Sequence, residues 1–117
     1  MRRGGVPKAD AIARADPAVQ RVYARLLKAV QALGPVVEER GDRSVLLRSR
    51  GGFLGVHPKR DCLDLQIVTD HAIRAARVTK VDPISARRFH VHVRLVTEKE
   101  VDAQLLEWLR DAYDLMA

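Results

Sequence analysis

Apolar residues recur at three- and four-residue spacing near both ends of this chain and at two-residue spacing between them. Val19, Val22, Tyr23, Leu26, Val30 and Leu33 make one face of a helix, with Gln20, Arg21, Arg25, Lys28 and Gln31 elsewhere around it. Asp16-Pro17 marks its start, because proline fits the first helical position, where an N–H would have no partner anyway. Gly34-Pro35 marks its stop. A second stripe, Val101, Leu105, Trp108, Leu109, Ala112, Tyr113 and Met116, predicts a C-terminal helix, and Thr97 with Glu100 gives the capping-box pattern ahead of it.

Short apolar runs lie between the helices: Val36-Val37, Val45-Leu46-Leu47, Phe53 to Val56, and Leu63 to Ile67. They are separated by turn signals at Arg40-Gly41-Asp42-Arg43, Arg50-Gly51-Gly52 and Pro58-Lys59-Arg60-Asp61. Connections this short leave no room for crossover helices, so the strands pair antiparallel. Phe89 to Leu95 then alternates strictly. Phe89, Val91, Val93 and Leu95 face the helices, and His90, His92 and Arg94 face away. In the fourth run Leu63, Leu65 and Ile67 point in, and Asp64 and Gln66 point out. Thr69 to Arg88 follows no single pattern: Ala72 to Ala76 suits a helical turn, Val78 to Val81 a short strand, and Pro83 breaks the run. The expected fold is α+β, an antiparallel β-meander of about five strands with an N-terminal and a C-terminal helix packed on one face. Residues 16–117 form the single α+β domain, and residues 1–15 a flexible basic N-terminal arm.

Composition adds limits. At 117 residues the chain is one domain by length, and 47% hydrophobic content suits a globular core. The one cysteine, Cys62, excludes an intrachain disulfide and reads as a structural thiol in a reducing compartment, so a cytoplasmic location is expected. No apolar run reaches the ~18 residues of a membrane span, and Met1 to Asp10 lacks the apolar middle of a signal peptide, so no membrane partner is expected.

The net charge of +6 is unevenly placed. Six carboxylates against Lys99 and Arg110 give residues 98–117 a net −4, while the remaining residues carry +10. A basic body attracts polyanions. Arg40, Arg43, Arg48, Arg50, Lys59 and Arg60 lie on or beside three successive hairpin tips. With His90, His92 and Arg94 on the open sheet face, they form the candidate surface for DNA or RNA, through phosphate contacts. Within this set, Arg43, Arg48, Arg50, Lys59, Arg60, His90, His92 and Arg94 are the candidate binding residues. Aromatic residues are 4% of the chain, too few for a stacking platform, and Phe53 is the one ring expected to be exposed.

Two alternatives stand beside this reading. The acidic face of the last helix, Glu98, Asp102 and Glu107, could dock a protein partner or a second copy of the chain as a homodimer. His90 and His92 share a strand face and could begin a metal-dependent active site if His57 or Asp64 supplied a third ligand. The pattern by itself assigns no catalytic residue, no metal and no cofactor.

The run Arg87-Arg88-Phe89-His90, through Val93-Arg94-Leu95, Glu100-Val101-Asp102 and Leu106-Glu107-Trp108-Leu109-Arg110-Asp111-Ala112-Tyr113, resembles the tail of a small bacterial domain, domain of unknown function 5655. Leu33-Gly34-Pro35-Val36-Val37-Glu38-Glu39 resembles the end of its first helix. The likeness covers about residues 17 to 116. It implies an α+β fold, no established activity and no catalytic residues to carry over. In place of the basic-aromatic strand expected after the first hairpin in that family, this chain has Val45-Leu46-Leu47. Members that form appendages to larger proteins imply an accessory role in binding nucleic acid or protein.

Overall fold

A computed structural model describes residues 10–117. Helix α1 runs Pro17–Gln31 and buries Val19, Val22, Tyr23, Leu26 and Val30, five of the six residues of its predicted stripe. Strands β1 (Val37–Arg40), β2 (Val45–Arg48), β3 (Gly52–Pro58) and β4 (Leu63–Thr69) follow as an antiparallel meander. Strand β5 (Val78–Ser85) and strand β6 (Arg88–Leu95) form a hairpin, and helix α2 (Ala103–Leu115) closes the chain.

The sheet has six strands in the order β1-β2-β3-β4-β6-β5. The fold class is the α+β arrangement the pattern predicts, with one strand more. The extra strand is β5, in the stretch where no pattern prevailed. Ala72 to Ala76 forms no helix. Pro83 lies inside β5 rather than ending it, because β5 is an edge strand that pairs only with β6 and an edge tolerates a missing N–H. The register shifts at Val78/Lys80 and again at Pro83/Ser85, so the edge is irregular.

The buried side of the sheet presents Val45, Leu47, Leu54, Val56, Leu63, Leu65, Ile67, Val91, Val93 and Leu95, and together with Leu26, Val30, Leu105 and Leu109 they make a single core. Phe53, expected to be exposed, is fully buried and meets Tyr113 edge-on, with ring centroids 5.4 Å apart. A register shift between Leu47 and Arg48 accompanies this, and both Phe53 and its neighbour Leu54 are buried. Trp108 and Tyr113 are only half-buried, so α2 fills the core with Leu105, Leu109 and Ala112.

Three boundaries differ from the pattern. Residues 10–15, expected to belong to the loose arm, form a packed turn that buries Ala11 and Ile12. Asp10 Oδ1 accepts from Ala13 N at 2.8 Å. The Gln20 amide of α1 lies 3.0–3.1 Å from the carbonyl oxygens of Ile12, Ala13 and Ala15. Residues 1–9 of that predicted arm lie outside the described residues. At the other end, the Thr97–Glu100 box caps a single 3-10 turn, Glu98–Glu100, with Thr97 N donating to Glu100 Oε1 at 2.9 Å. Helix α2 has its own cap, Asp102, whose carboxylate accepts from Leu105 N at 3.0 Å. Gly34 adopts φ +150°, and a β-carbon there would lie 2.4 Å from the Tyr113 hydroxyl, which donates to Pro35 O at 2.8 Å. Glycine therefore lets the end of α1 pass directly beneath α2.

Candidate nucleic-acid interface

Successive turns of an antiparallel meander fall at opposite ends of the sheet. The β1–β2 and β3–β4 turns share one end, and the β2–β3 turn lies at the other. This parity divides the arginine-bearing tips. Arg43 and Lys59 come together at the first end, where a cleft of about 360 Å³ lies between them, Arg14 and Pro58. The same β3–β4 turn carries Arg60. Arg94, on β6 opposite Asp64, stands near the same end on the uncovered face. The side chains of Arg43, Lys59, Arg60 and Arg94 have no hydrogen-bond or ion-pair partner among the described residues. Arg14 donates to the Asp42 carbonyl, and Ala11 N donates to Gly41 O at 3.0 Å, which ties the 10–15 turn to the first tip.

Arg48 and Arg50 lie at the far end, separated from these cations by the length of a seven-residue strand, about 20 Å. Arg48 is already engaged: its Nη1 is 3.0 Å from Glu39 Oε2, and its Nη2 donates to Arg50 O at 3.3 Å. The β2–β3 turn is held to α2, with Gly51 N donating to Met116 O at 2.9 Å and Ser49 Oγ to Tyr113 O at 3.0 Å. The far tip thus serves as an anchor for the helix, with one of its two guanidinium groups neutralised.

His90 and His92 stand on the uncovered face between the two ends. Gln66 Nε2 lies 2.9 Å from His90 Nδ1, so the amide donates and His90 carries its proton on Nε2. Burial, with the neighbouring His92 second, pushes the His90 imidazole below its ordinary value and keeps it neutral at pH 7. His92 Nε2 lies 2.9 Å from Asp82 Oδ2, and Lys80 Nζ is 3.4 Å from the same carboxylate. The face therefore holds a hydrogen-bonded polar strip, Gln66–His90 beside His92–Asp82–Lys80, and the free positive charge sits at its edge.

Among the described residues, no three His, Cys, Asp or Glu side chains gather into a set that could hold a metal ion. His57 and Asp64 pair with each other across β3 and β4, and the residues opposite His90 and His92 on β4 are Val68 and Gln66. On the acidic helix, Asp102 is occupied as the cap of α2 and as the partner of Arg77 at 2.8 Å. Glu98 and Glu107 are exposed. Arg14 lines the cleft with Arg43 and Lys59, although the hydropathy pattern left it in the arm. The Asp10-to-Ala13 turn and the apolar pair Ala11-Ile12 were the available signals for its place.

No helix among the described residues is long and apolar enough to cross a membrane. The family model described as Domain of unknown function (DUF5655) matches residues 8–116. No curated protein and no solved structure matches the chain.

Proposed function

The chain belongs to the family described as Domain of unknown function (DUF5655), and from that premise we propose that it is a non-enzymatic module binding DNA or RNA phosphates through one end of its sheet. The observation that carries this reading is that Arg43 and Lys59 line one cleft with Arg14 and Asp42, that Arg60 on the same turn and Arg94 on the open face lie at the same end, and that the side chains of Arg43, Lys59, Arg60 and Arg94 are unpartnered among the described residues. Four such cations cannot neutralise one another, and a phosphate backbone supplies repeated negative charge at suitable spacing. The polar strip of Gln66, His90 and His92 lies on the same uncovered face, between the two ends, and offers hydrogen bonds to sugar or base edges. The single, buried thiol of Cys62 supports a reducing compartment, and we place the protein in the cytoplasm.

An electrophoretic shift with mixed duplex DNA and single-stranded RNA at ~50 mM salt tests the reading. Retarded complexes that dissolve as salt rises are expected. Free probe at every protein concentration contradicts it. One observation favours a second reading: unpartnered cations at one end and the unpartnered carboxylates of Asp111 and Asp114 at the other suit head-to-tail contact between copies. Light scattering would then show mass rising with concentration and falling with salt.

A further inference from the structure

A cavity of about 420 Å³ opens at the far end of the molecule, between the C-terminal half of α2 and the link that leaves β4. Ile73 and Leu115 give it apolar walls, and the half-buried Trp108 supplies an aromatic one. Asp70, Asp111 and Asp114 line the same space. Asp70 is paired with His71, Nδ1 to Oδ1 at 2.8 Å, but the carboxylates of Asp111 and Asp114 have no partner among the described residues.

The position of those two carboxylates is unusual for a helix. Carbonyl groups left over at a helix C-terminus carry partial negative charge and favour lysine or arginine nearby. The last turn of α2 contains no basic residue. Asp111 and Asp114 add their charge to the helix end instead, and an aromatic ring that attracts cations adjoins them. A metal ion does not suit this chemistry, since no three ligating groups among the described residues converge there. The volume lies in the range of small-molecule pockets, where apolar walls hold the body of a ligand and a few charged groups orient it.

We infer that this cavity binds an organic cation, a guanidinium or ammonium group on a short aliphatic stem. The charged head lies against Asp111 and Asp114 at the end of α2, and the stem lies along Trp108, Ile73 and Leu115. The same chemistry comes from a free amine or from an arginine side chain of a peptide, and the experiment separates the two. This inference is independent of nucleic-acid binding at the opposite end.

Trp108 is the only tryptophan in the chain, so its fluorescence reports the cavity alone. The full-length protein is titrated with agmatine, with a capped Gly-Arg-Gly peptide, and with N-butylurea as an uncharged analogue. A saturable change with agmatine or the peptide, and none with N-butylurea, is expected. The stronger of the two responses identifies a free amine or a side chain as the source. Asp111→Asn with Asp114→Asn, both surface changes of equal shape, should weaken that response at least tenfold while leaving the circular dichroism spectrum unchanged. Three results overturn the inference: no saturable change with either cation, an equal change with N-butylurea, or an undiminished response in the double variant.

Discussion

The two ends of the sheet carry opposite chemistry on the same framework. At one end Arg43, Lys59, Arg60 and Arg94 project from turns and from the open face without partners among the described residues, beside Arg14. At the other, Arg48 is consumed by Glu39, the β2–β3 turn is bonded to α2, and Asp70, Asp111 and Asp114 surround a cavity. Strand parity produces this sorting. Odd-numbered turns of the meander go to one end and the even-numbered turn to the other, so a row of basic tips in the sequence becomes two groups in space. Charges of both signs lie at each end, with Asp42, Asp61 and Asp64 at the first and Arg88 beside Asp70 at the second, so the contrast is between side chains left without partners and not between net charges. The first suits a polyanion, and the second suits a cation.

The largest expected effect separates the ends directly. Reversing Arg43, Lys59 and Arg60 to glutamate should lower nucleic-acid affinity by about 100-fold or more at 0.1 M salt, as measured by fluorescence anisotropy. Arg48→Glu with Arg50→Glu should change it by no more than about twofold, because those sites lie beyond the ~10 Å screening length from the basic end. Equal losses in the two variants would erase the distinction. The sequence pattern alone sets the three tips side by side, and the proposed interface uses the two that share an end. In the wild type, log K should fall with log salt at a slope of about −4, and the triple variant should lose about three units of that slope.

Stability changes sharpen the comparison further. Gly34→Ala places a β-carbon against the Tyr113 hydroxyl at a positive φ, and should cost more than about 1 kcal/mol in urea unfolding, loosening the far end first. Asp102→Ala removes the cap of α2 near the basic end and should cost about 1 kcal/mol, with little added for the exposed pair to Arg77. The smallest effect is a pH dependence on the open face. His90 has a folded-state value below its unfolded one, so the unfolded chain binds the proton more readily. Its contribution favours folding above the ordinary imidazole value of ~6.5 and is lost as pH falls toward the lowered one. His90→Gln should therefore flatten the loss of melting temperature between pH 7.5 and pH 5. An identical slope in both proteins would remove His90 from the account.

Much of the fold was legible because burial on one face writes itself into periodicity. The stripe from Val19 to Val30 and the alternation from Leu63 to Ile67 and from Val91 to Leu95 correspond to side chains that are buried in the structure. That same alternation put His90, His92 and Arg94 on the uncovered face, where they lie. Strand β5 was illegible because an irregular edge strand with two register shifts has no steady period, and Pro83 mimics a break. The buried place of Phe53 was hidden because the β2–β3 pairing is irregular there, and Phe53 and Leu54 are both buried where alternation would expose one of them. The candidate site was half legible. Hydropathy shows which face a residue takes, but the end it occupies depends on strand count, and whether a guanidinium is free depends on cross-strand partners such as Glu39. Arg14 required the fold of the 10–15 turn, which local pattern understates because its stability comes from Gln20 on α1.

At 13.1 kDa the protein suits amide-resolved NMR, and the most direct measurement is a map of chemical-shift changes on adding a short DNA duplex or RNA strand. The changes should concentrate at residues 41–44 and 59–62, at Arg94 and at Arg14, and should spare residues 49–51 and 111–115. Changes centred on residues 49–51, or a spectrum that saturating nucleic acid leaves unaltered, would contradict the assignment of the basic end.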